Sequence, residues 1–134
     1  MSAESTRVLV VEDDRDFAES LVIALGTRNC QVKVAYTGED AIRMFHEHSF
    51  DIAFMDIKLP GKNGVQSLAE ILEFVPQARI VMMTGFSEPS LLEQARQTGA
   101  IDVLCKPFRM KELLGYIDRL HNAEPVAPSS VATH

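Results

Sequence analysis

The sequence predicts an α/β fold in which one parallel sheet of five strands is covered by five helices. Two observations support this prediction: short apolar runs recur along the chain, and segments with the apolar spacing of helices separate them. Parallel strands need crossover connections, and right-handed crossovers place helices on both faces of the sheet. The alternation therefore predicts a single domain, and strands with nearly unbroken apolar runs should be buried on both faces.

The strand candidates are short, and four of them are nearly unbroken in apolar residues; they span residues 7–11, 31–35, 51–55, 79–83 and 101–105. Each is followed by a segment that repeats apolar residues at intervals of three and four. In chain order these segments contain Phe17, Leu21, Ala24 and Leu25; Ala41, Ile42 and Phe45; Val65, Leu68, Ile71 and Leu72; Leu91, Leu92 and Ala95; and Leu113, Leu114, Ile117 and Leu120. The pattern stops there, which predicts a packed domain over residues 1–121.

The end of the chain differs in composition from the rest. Residues 122–134 are mostly small or polar and include prolines, so we expect a flexible tail or linker. A length of 134 residues suits one domain with its own core. Cys30 and Cys105 lack the spacing of a metal site, and we expect both to be buried free thiols.

Charge and hydropathy narrow the classes of function. Nineteen acidic against 13 basic residues give a net charge of −6, which disfavours direct binding of nucleic acid by this segment. No apolar run approaches the roughly 18 residues of a membrane span, and the N-terminus has no long apolar stretch. We therefore expect a cytoplasmic protein without membrane contact.

Polar residues follow four of the five strand candidates, at the edge where parallel sheets bind ligands. They are Glu12-Asp13-Asp14 after the first strand, Asp56 after the third, Thr84 after the fourth and Lys106 after the fifth. Clustered carboxylates repel unless a cation joins them, and oxygen ligands suit Mg²⁺. Aspartate forms acyl phosphates, and a lysine neutralises charge on phosphoryl oxygens. The edge is thus a candidate site for phosphoryl transfer to Asp56.

Four segments, VLVVEDD, FMDIKLPGKNG, VMMTG and CKPF, occur in this order over about residues 7–120 and resemble the receiver domains of two-component response regulators. Asp13 and Asp56 lie 43 positions apart, close to the separation between the metal-binding acid and the phosphoacceptor in that family. The resemblance implies a doubly wound, flavodoxin-like sheet of strand order 2-1-3-4-5. It also implies a sensor histidine kinase or phosphotransfer protein as the phosphoryl donor.

The resemblance assigns a magnesium site to the acidic residues. Asp13 matches the direct ligand, Glu12 the acid that acts through water, and Asp56 the phosphoacceptor, which also contacts the ion. Lys58 would offer its backbone carbonyl to the same cation. Asp14 is then a neighbour of the site rather than a ligand.

The remaining matches concern the phosphoryl group and the switch. Thr84 matches the switch hydroxyl, and Lys106 matches the phosphate-binding lysine, whose bond to Pro107 is usually cis in the family. The family commonly has Tyr or Phe three residues before this lysine, whereas this chain has Val103. We therefore expect a weaker conformational shift on phosphorylation, and Phe86 is a candidate to share the role of the missing ring.

The implied function is a phosphoacceptor module that catalyses only its own phosphorylation and dephosphorylation. The expected output surface is the face of the fourth helix, fifth strand and fifth helix, near residues 89–98, 100–106 and 109–120. Core spacing on the fifth helix leaves Tyr116 and neighbouring charged residues for an output partner or domain. Homodimer formation on phosphorylation is a further expectation.

Two alternatives compete with this interpretation. A magnesium-dependent phosphatase of the haloacid-dehalogenase kind also uses a nucleophilic Asp at a strand end, but Asp56-Ile57-Lys58 lacks that family's second acid and the chain is short. A pseudo-receiver that only docks partners is disfavoured by the intact acidic residues, Thr84 and Lys106. Taken alone, the acidic triplet is also what a helix N-cap requires.

Overall fold

Five parallel strands form one sheet in the computed structural model, which describes residues 5–85 and 89–126. The strands are β1 (Thr6–Val11), β2 (Cys30–Ala35), β3 (Ile52–Asp56), β4 (Ile80–Thr84) and β5 (Asp102–Cys105). Their order is β2-β1-β3-β4-β5, and every neighbouring pair is parallel. The predicted fold class and strand order are confirmed.

Five helices connect the strands and cover both faces of the sheet. They are α1 (Arg15–Gly26), α2 (Gly38–Glu47), α3 (Gly64–Phe74), α4 (Pro89–Thr98) and α5 (Met110–His121). Because side chains alternate along a strand, Leu9 and Val11 pack with α2, α3 and α4, whereas Val8 and Val10 pack with α1 and α5. Two hydrophobic clusters therefore hold the sheet between helix layers.

Burial of the strands depends on their place in the sheet. All residues of β3 and β4 are buried, as nearly unbroken apolar runs predict. β2 lies at one edge, where Gln31 and Lys33 are exposed; it is the one strand candidate that lacks a nearly unbroken apolar run, and burial on both faces was not predicted for it. Asp56 and Thr84 are the last paired residues of β3 and β4, one position beyond the predicted ends. Backbone pairing continues there whatever the polarity of the side chain.

Side-chain caps fix the starts of three helices next to the carboxyl edge of the sheet. Asp14 accepts a hydrogen bond from the Phe17 amide at 3.1 Å, and Thr37 accepts one from the Asp40 amide at 3.1 Å. Asn63 and Gln66 form a reciprocal capping box at α3. The connections that carry the candidate site are thus held by local hydrogen bonds.

Two sequence predictions about side-chain exposure are wrong. Cys105 is exposed because it ends the edge strand β5, although both cysteines are free thiols and Cys30 is half-buried. Tyr116 is not available to a partner: it is 5% exposed, and its ring packs edge-on against Phe54 with 5.9 Å between centroids. Its hydroxyl donates a hydrogen bond to the buried carboxylate of Asp102 at 2.8 Å. Tyr116 therefore belongs to the core-facing stripe of α5.

The described chain continues past α5 to residue 126. Val126 packs against the cluster on the α1 and α5 face, and its carbonyl accepts a hydrogen bond from Arg119 Nε at 3.1 Å. The domain boundary at residue 121 stays a prediction, and residues 127–134 lie outside the described part. Within residues 5–85 and 89–126, none of the helices has the length and apolar character that crossing a bilayer requires.

Candidate functional site

Three carboxylates lie together at the carboxyl edge of the sheet. Glu12 and Asp13 follow β1 directly, and Asp56 ends the adjacent strand β3. One oxygen of each lies within 4.8 Å of the others, so the group has the dimensions of a cation site. Glu12 is 1% exposed and Asp56 7%, whereas Asp13 is exposed. The structure thus brings together acids that lie far apart in the sequence.

Lys106 joins the two buried carboxylates of this cluster. Its Nζ lies 3.0 Å from Glu12 Oε1 and 3.0 Å from Asp56 Oδ2. The residue follows β5, and its backbone amide donates a hydrogen bond to the Thr84 carbonyl at 2.6 Å, which extends the pairing of β4 with β5. The Lys106-Pro107 bond is cis, as the resemblance implied. The ammonium of Lys106, which follows β5, therefore bridges the acids at the ends of β1 and β3.

The electrostatics of the cluster are those of crowded, poorly solvated acids. Burial and the nearby negative charge of Asp56 raise the pKa of Glu12 to about 7, against the opposing effects of Lys106 and the Asp14 amide. Burial opposes the charged form of Lys106, but hydrogen bonds to Glu12 and Asp56 outweigh it and raise the pKa of the ammonium. The site holds more negative charge than one lysine neutralises, which favours an added cation.

Asp56 is held by backbone on one side and by Lys106 on the other. Its Oδ1 accepts a hydrogen bond from the Lys58 amide at 3.1 Å. The sequence analysis assigned Lys58 a role through its carbonyl and did not foresee this amide contact. Gly64 starts α3, and its backbone lies so close to β3 that a Cβ added to Gly64 would be 2.3 Å from the Asp56 carbonyl oxygen. Only glycine allows this approach, which holds Asp56 between β3 and the start of α3.

Thr84 and Val103 occupy the positions that the sequence analysis assigned to the switch. Thr84 is 2% exposed at the end of β4, and its hydroxyl donates a hydrogen bond to the Gly85 carbonyl at 3.0 Å. The hydroxyl is therefore directed along its own loop rather than to Asp56. Val103 is half-buried and packs against the cluster of the α2, α3 and α4 face. Phe86 lies outside the described residues.

Asp14 and one aromatic contact complete the rim of the site. Asp14 caps α1 with its side chain, and its amide donates a hydrogen bond to Glu12 Oε2 at 3.1 Å, so it is a neighbour that orients an acid. Lys106 Nζ lies 4.9 Å from the centroid of the Phe17 ring. The sequence analysis assigned Phe17 only to the core. The signal it missed is proximity in the sequence, because Phe17 lies in the first turn of α1, three residues after the N-cap Asp14 that follows the acidic pair.

Comparison with known proteins identifies a matching family. The family model described as the response regulator receiver domain matches residues 8–118. The chemotaxis protein CheY of Bacillus subtilis (strain 168) is 34% identical over 118 residues, which cover 87% of this chain and 98% of the relative. The transcriptional regulatory protein ZraR of Klebsiella oxytoca is 32% identical over 113 residues, which cover 84% of this chain but 26% of that protein.

A solved structure gives the same picture of the fold. The CheY-like response regulator receiver domain protein of Methanospirillum hungatei JF-1 superposes with a TM-score of 0.83 at 25% identity, over 89% of this chain and 95% of that chain. Similar sequences thus occur both as nearly whole proteins and as about a quarter of longer regulators. The matched region contains every residue of the acidic cluster and Lys106.

Proposed function

Because this chain belongs to the response regulator receiver domain family, whose model matches residues 8–118, we propose that Asp56 accepts a phosphoryl group from a histidine kinase. Receiver domains of this family act with histidine kinases and output domains in signalling and are generally not enzymes. The observation that supports Asp56 as the acceptor is its position in the cluster. It is the one carboxylate here that contacts both Lys106 Nζ and the Lys58 amide.

The proposed chemistry is a direct displacement at phosphorus. A carboxylate oxygen of Asp56 forms the new O–P bond while the P–N bond to the kinase imidazole breaks, and the released imidazole takes up a proton. Lys106 neutralises charge on the phosphoryl oxygens, moving from Asp56 Oδ2 to one of them. Thr84 releases the Gly85 carbonyl and donates its hydroxyl hydrogen to another. Both movements draw β4 and β5 toward the acceptor.

We propose Mg²⁺ as the cofactor of this transfer. Asp13 and Asp56 would bind it directly, Lys58 would bind it through its backbone carbonyl, and Glu12 would bind it through water. Oxygens within 4.8 Å of one another and the raised pKa of Glu12 both fit a site that accepts a divalent cation. When bound, the ion adds positive charge beside the transferred phosphoryl group. The chain's own contribution is to hold the acceptor and Lys106 in place.

The proposed output surface is formed by α4, β5 and α5, and homodimer formation on phosphorylation is a further proposal. β5 is an edge strand, and a groove of about 600 Å³ runs between it and α5, lined by Val103, Cys105, Lys111, Glu112 and Arg119 among others. Since Tyr116 is buried, charged side chains rather than this ring would contact the partner. Thr84 and Lys106 stand at the inner end of this region, so their movement reaches it directly.

Three further proposals concern the chain as a whole. It carries out only its own phosphorylation and dephosphorylation, it acts in the cytoplasm, and its receiver domain ends near residue 121 with a tail or linker after it. The net charge of −6, from 19 acidic and 13 basic residues, supports the absence of direct nucleic acid binding. The phosphatase alternative is not favoured, because family membership and the acid set both fit a receiver.

The experiment is labelling with acetyl phosphate and Mg²⁺, followed by intact-mass spectrometry. The wild type should gain one phosphoryl mass, and Asp56→Asn should not, because the amide removes the nucleophilic oxygen while keeping the shape. Asp16→Asn is the matched control, since Asp16 is an exposed acid in the first turn of α1. Equal labelling of Asp56→Asn and wild type would contradict the assignment. An unlabelled wild type would favour the pseudo-receiver, and repeated turnover of a phosphomonoester would favour the phosphatase.

A further inference from the structure

The Lys106 ammonium has a third neighbour besides its two carboxylates. Its Nζ lies 4.9 Å from the centroid of the Phe17 ring, within the range of a cation–π interaction. Phe17 belongs to the first turn of α1, and its amide is held by the Asp14 cap at 3.1 Å. Phe108 packs edge-on against the same ring, with 5.8 Å between centroids and 61° between planes. The ring is therefore fixed from two sides.

The hydrogen bonds of the Lys106 ammonium leave room for the contact with Phe17. Lys106 has three N–H donors, and the carboxylates of Glu12 and Asp56 accept from it at 3.0 Å each. Its side chain is 27% exposed, so water reaches only part of it. The negative face of an aromatic ring attracts a cation without demanding one direction of approach. Phe17 thus contacts the ammonium without competing for the donors that the acids use.

We propose that Phe17 is a positioning residue for phosphoryl transfer, holding Lys106 Nζ beside Asp56 while the ammonium changes partners. This inference rests on the proposed function. During transfer Lys106 must leave Asp56 Oδ2 for a phosphoryl oxygen, and a directional acceptor at the Phe17 position would resist that movement. The Phe17 ring attracts the Lys106 ammonium both before and after it moves from Asp56 Oδ2 to the phosphoryl oxygen. Its position also follows from Asp14, whose amide orients Glu12 and whose side chain starts α1.

The competing explanation is that Phe17 is only a core side chain, since it packs against the cluster of the α1 and α5 face. Ring electronics separate the two roles. Fluorine substitution removes negative charge from the ring face while changing the volume little, so a series of fluorinated phenylalanines at position 17 weakens the cation–π contact and preserves the packing. Phe17→Tyr keeps the π face, and Phe17→Leu removes it.

The test measures the rate constant for labelling by acetyl phosphate in saturating Mg²⁺, with the wild type shown first to be labelled on Asp56. Phe17→Leu should react about five-fold more slowly, the loss expected for about 1 kcal/mol of cation–π stabilisation. Phe17→Tyr should stay close to the wild type, and the rate should fall stepwise with added fluorines. Phe74→Leu is the matched control, because this half-buried ring stacks on His46 rather than on a residue of the site.

The outcomes separate this inference from the proposed function. A wild type that is not labelled on Asp56 would overturn the proposed function and this inference with it. Labelling of the wild type with equal rates across the fluorinated series would overturn the positioning role alone, whatever the stability of Phe17→Leu. If Phe17→Leu fails to fold, the fluorinated series still decides. A slowing in Phe74→Leu as large as in Phe17→Leu would also assign the effect to packing.

Discussion

Gly64→Ala should destabilise the protein because it forces the start of α3 away from the end of β3 at Asp56. The added Cβ would lie 2.3 Å from the Asp56 carbonyl oxygen, 2.8 Å from Ile57 Cα and 2.9 Å from Met82 Cε. Non-bonded contacts are favourable at about 3.5 Å, so the start of α3 must move by about 1 Å. Two of the three atoms are backbone and cannot rotate away. Overpacking of this kind costs about 2 kcal/mol, and the better helix propensity of alanine offsets only part of it.

Urea unfolding followed by circular dichroism measures this cost. With a slope of about 2 kcal/mol per molar urea, the midpoint should fall by up to about 1 M. Gly26→Ala is the matched control, because Gly26 ends α1 and nothing lies within 4 Å of an added Cβ there. That variant should be as stable as the wild type or slightly more stable. Equal midpoints for Gly64→Ala and Gly26→Ala would refute the argument from close approach.

Three other predictions follow from the described contacts. Tyr116→Phe should lower the free energy of unfolding in urea by about 2 kcal/mol, because the buried Asp102 carboxylate loses a hydrogen-bond donor. Burial and this hydrogen bond also raise the pKa of Tyr116, so the stability of the wild type should fall with pH above about 10. Tyr116→Phe should lose part of that pH dependence. Mg²⁺ should raise the melting temperature of the wild type, because a free Mg²⁺ concentration of 100 times the dissociation constant adds about 2.7 kcal/mol to the free energy of unfolding. An equal rise in the melting temperature of Asp13→Ala would count against the site. Beryllofluoride should change amide exchange in α4 and α5, and changes confined to α1 would contradict the proposed output face.

Much of the fold follows from the sequence because its signals are local. Apolar runs and helical spacing give ten elements in the observed order, since each reflects burial along its own segment. The strand order came from the family resemblance, because local patterns do not record which strands are neighbours. The exposure of Cys105 was not predicted; this residue is exposed because β5 lacks a partner strand on one side.

The candidate site was predictable as a set of residues but not as a set of contacts. Glu12, Asp13, Asp56 and Lys106 follow strand ends, so a parallel sheet brings them to one edge. The bridge from Lys106 to both Glu12 and Asp56 depends on side-chain conformation, which spacing does not specify. Tyr116 shows the same limit, because its hydroxyl is paired with Asp102 from another element.

The most direct test of the central claim is to locate the acyl phosphate in the chain. After labelling with acetyl phosphate and Mg²⁺, borohydride reduction converts a phosphorylated aspartate to homoserine, and peptide mass spectrometry identifies its position. The account predicts homoserine at position 56, with Asp13 and the other acids of the site unmodified. Homoserine at another position, or none in a protein that gained the phosphoryl mass, would contradict it.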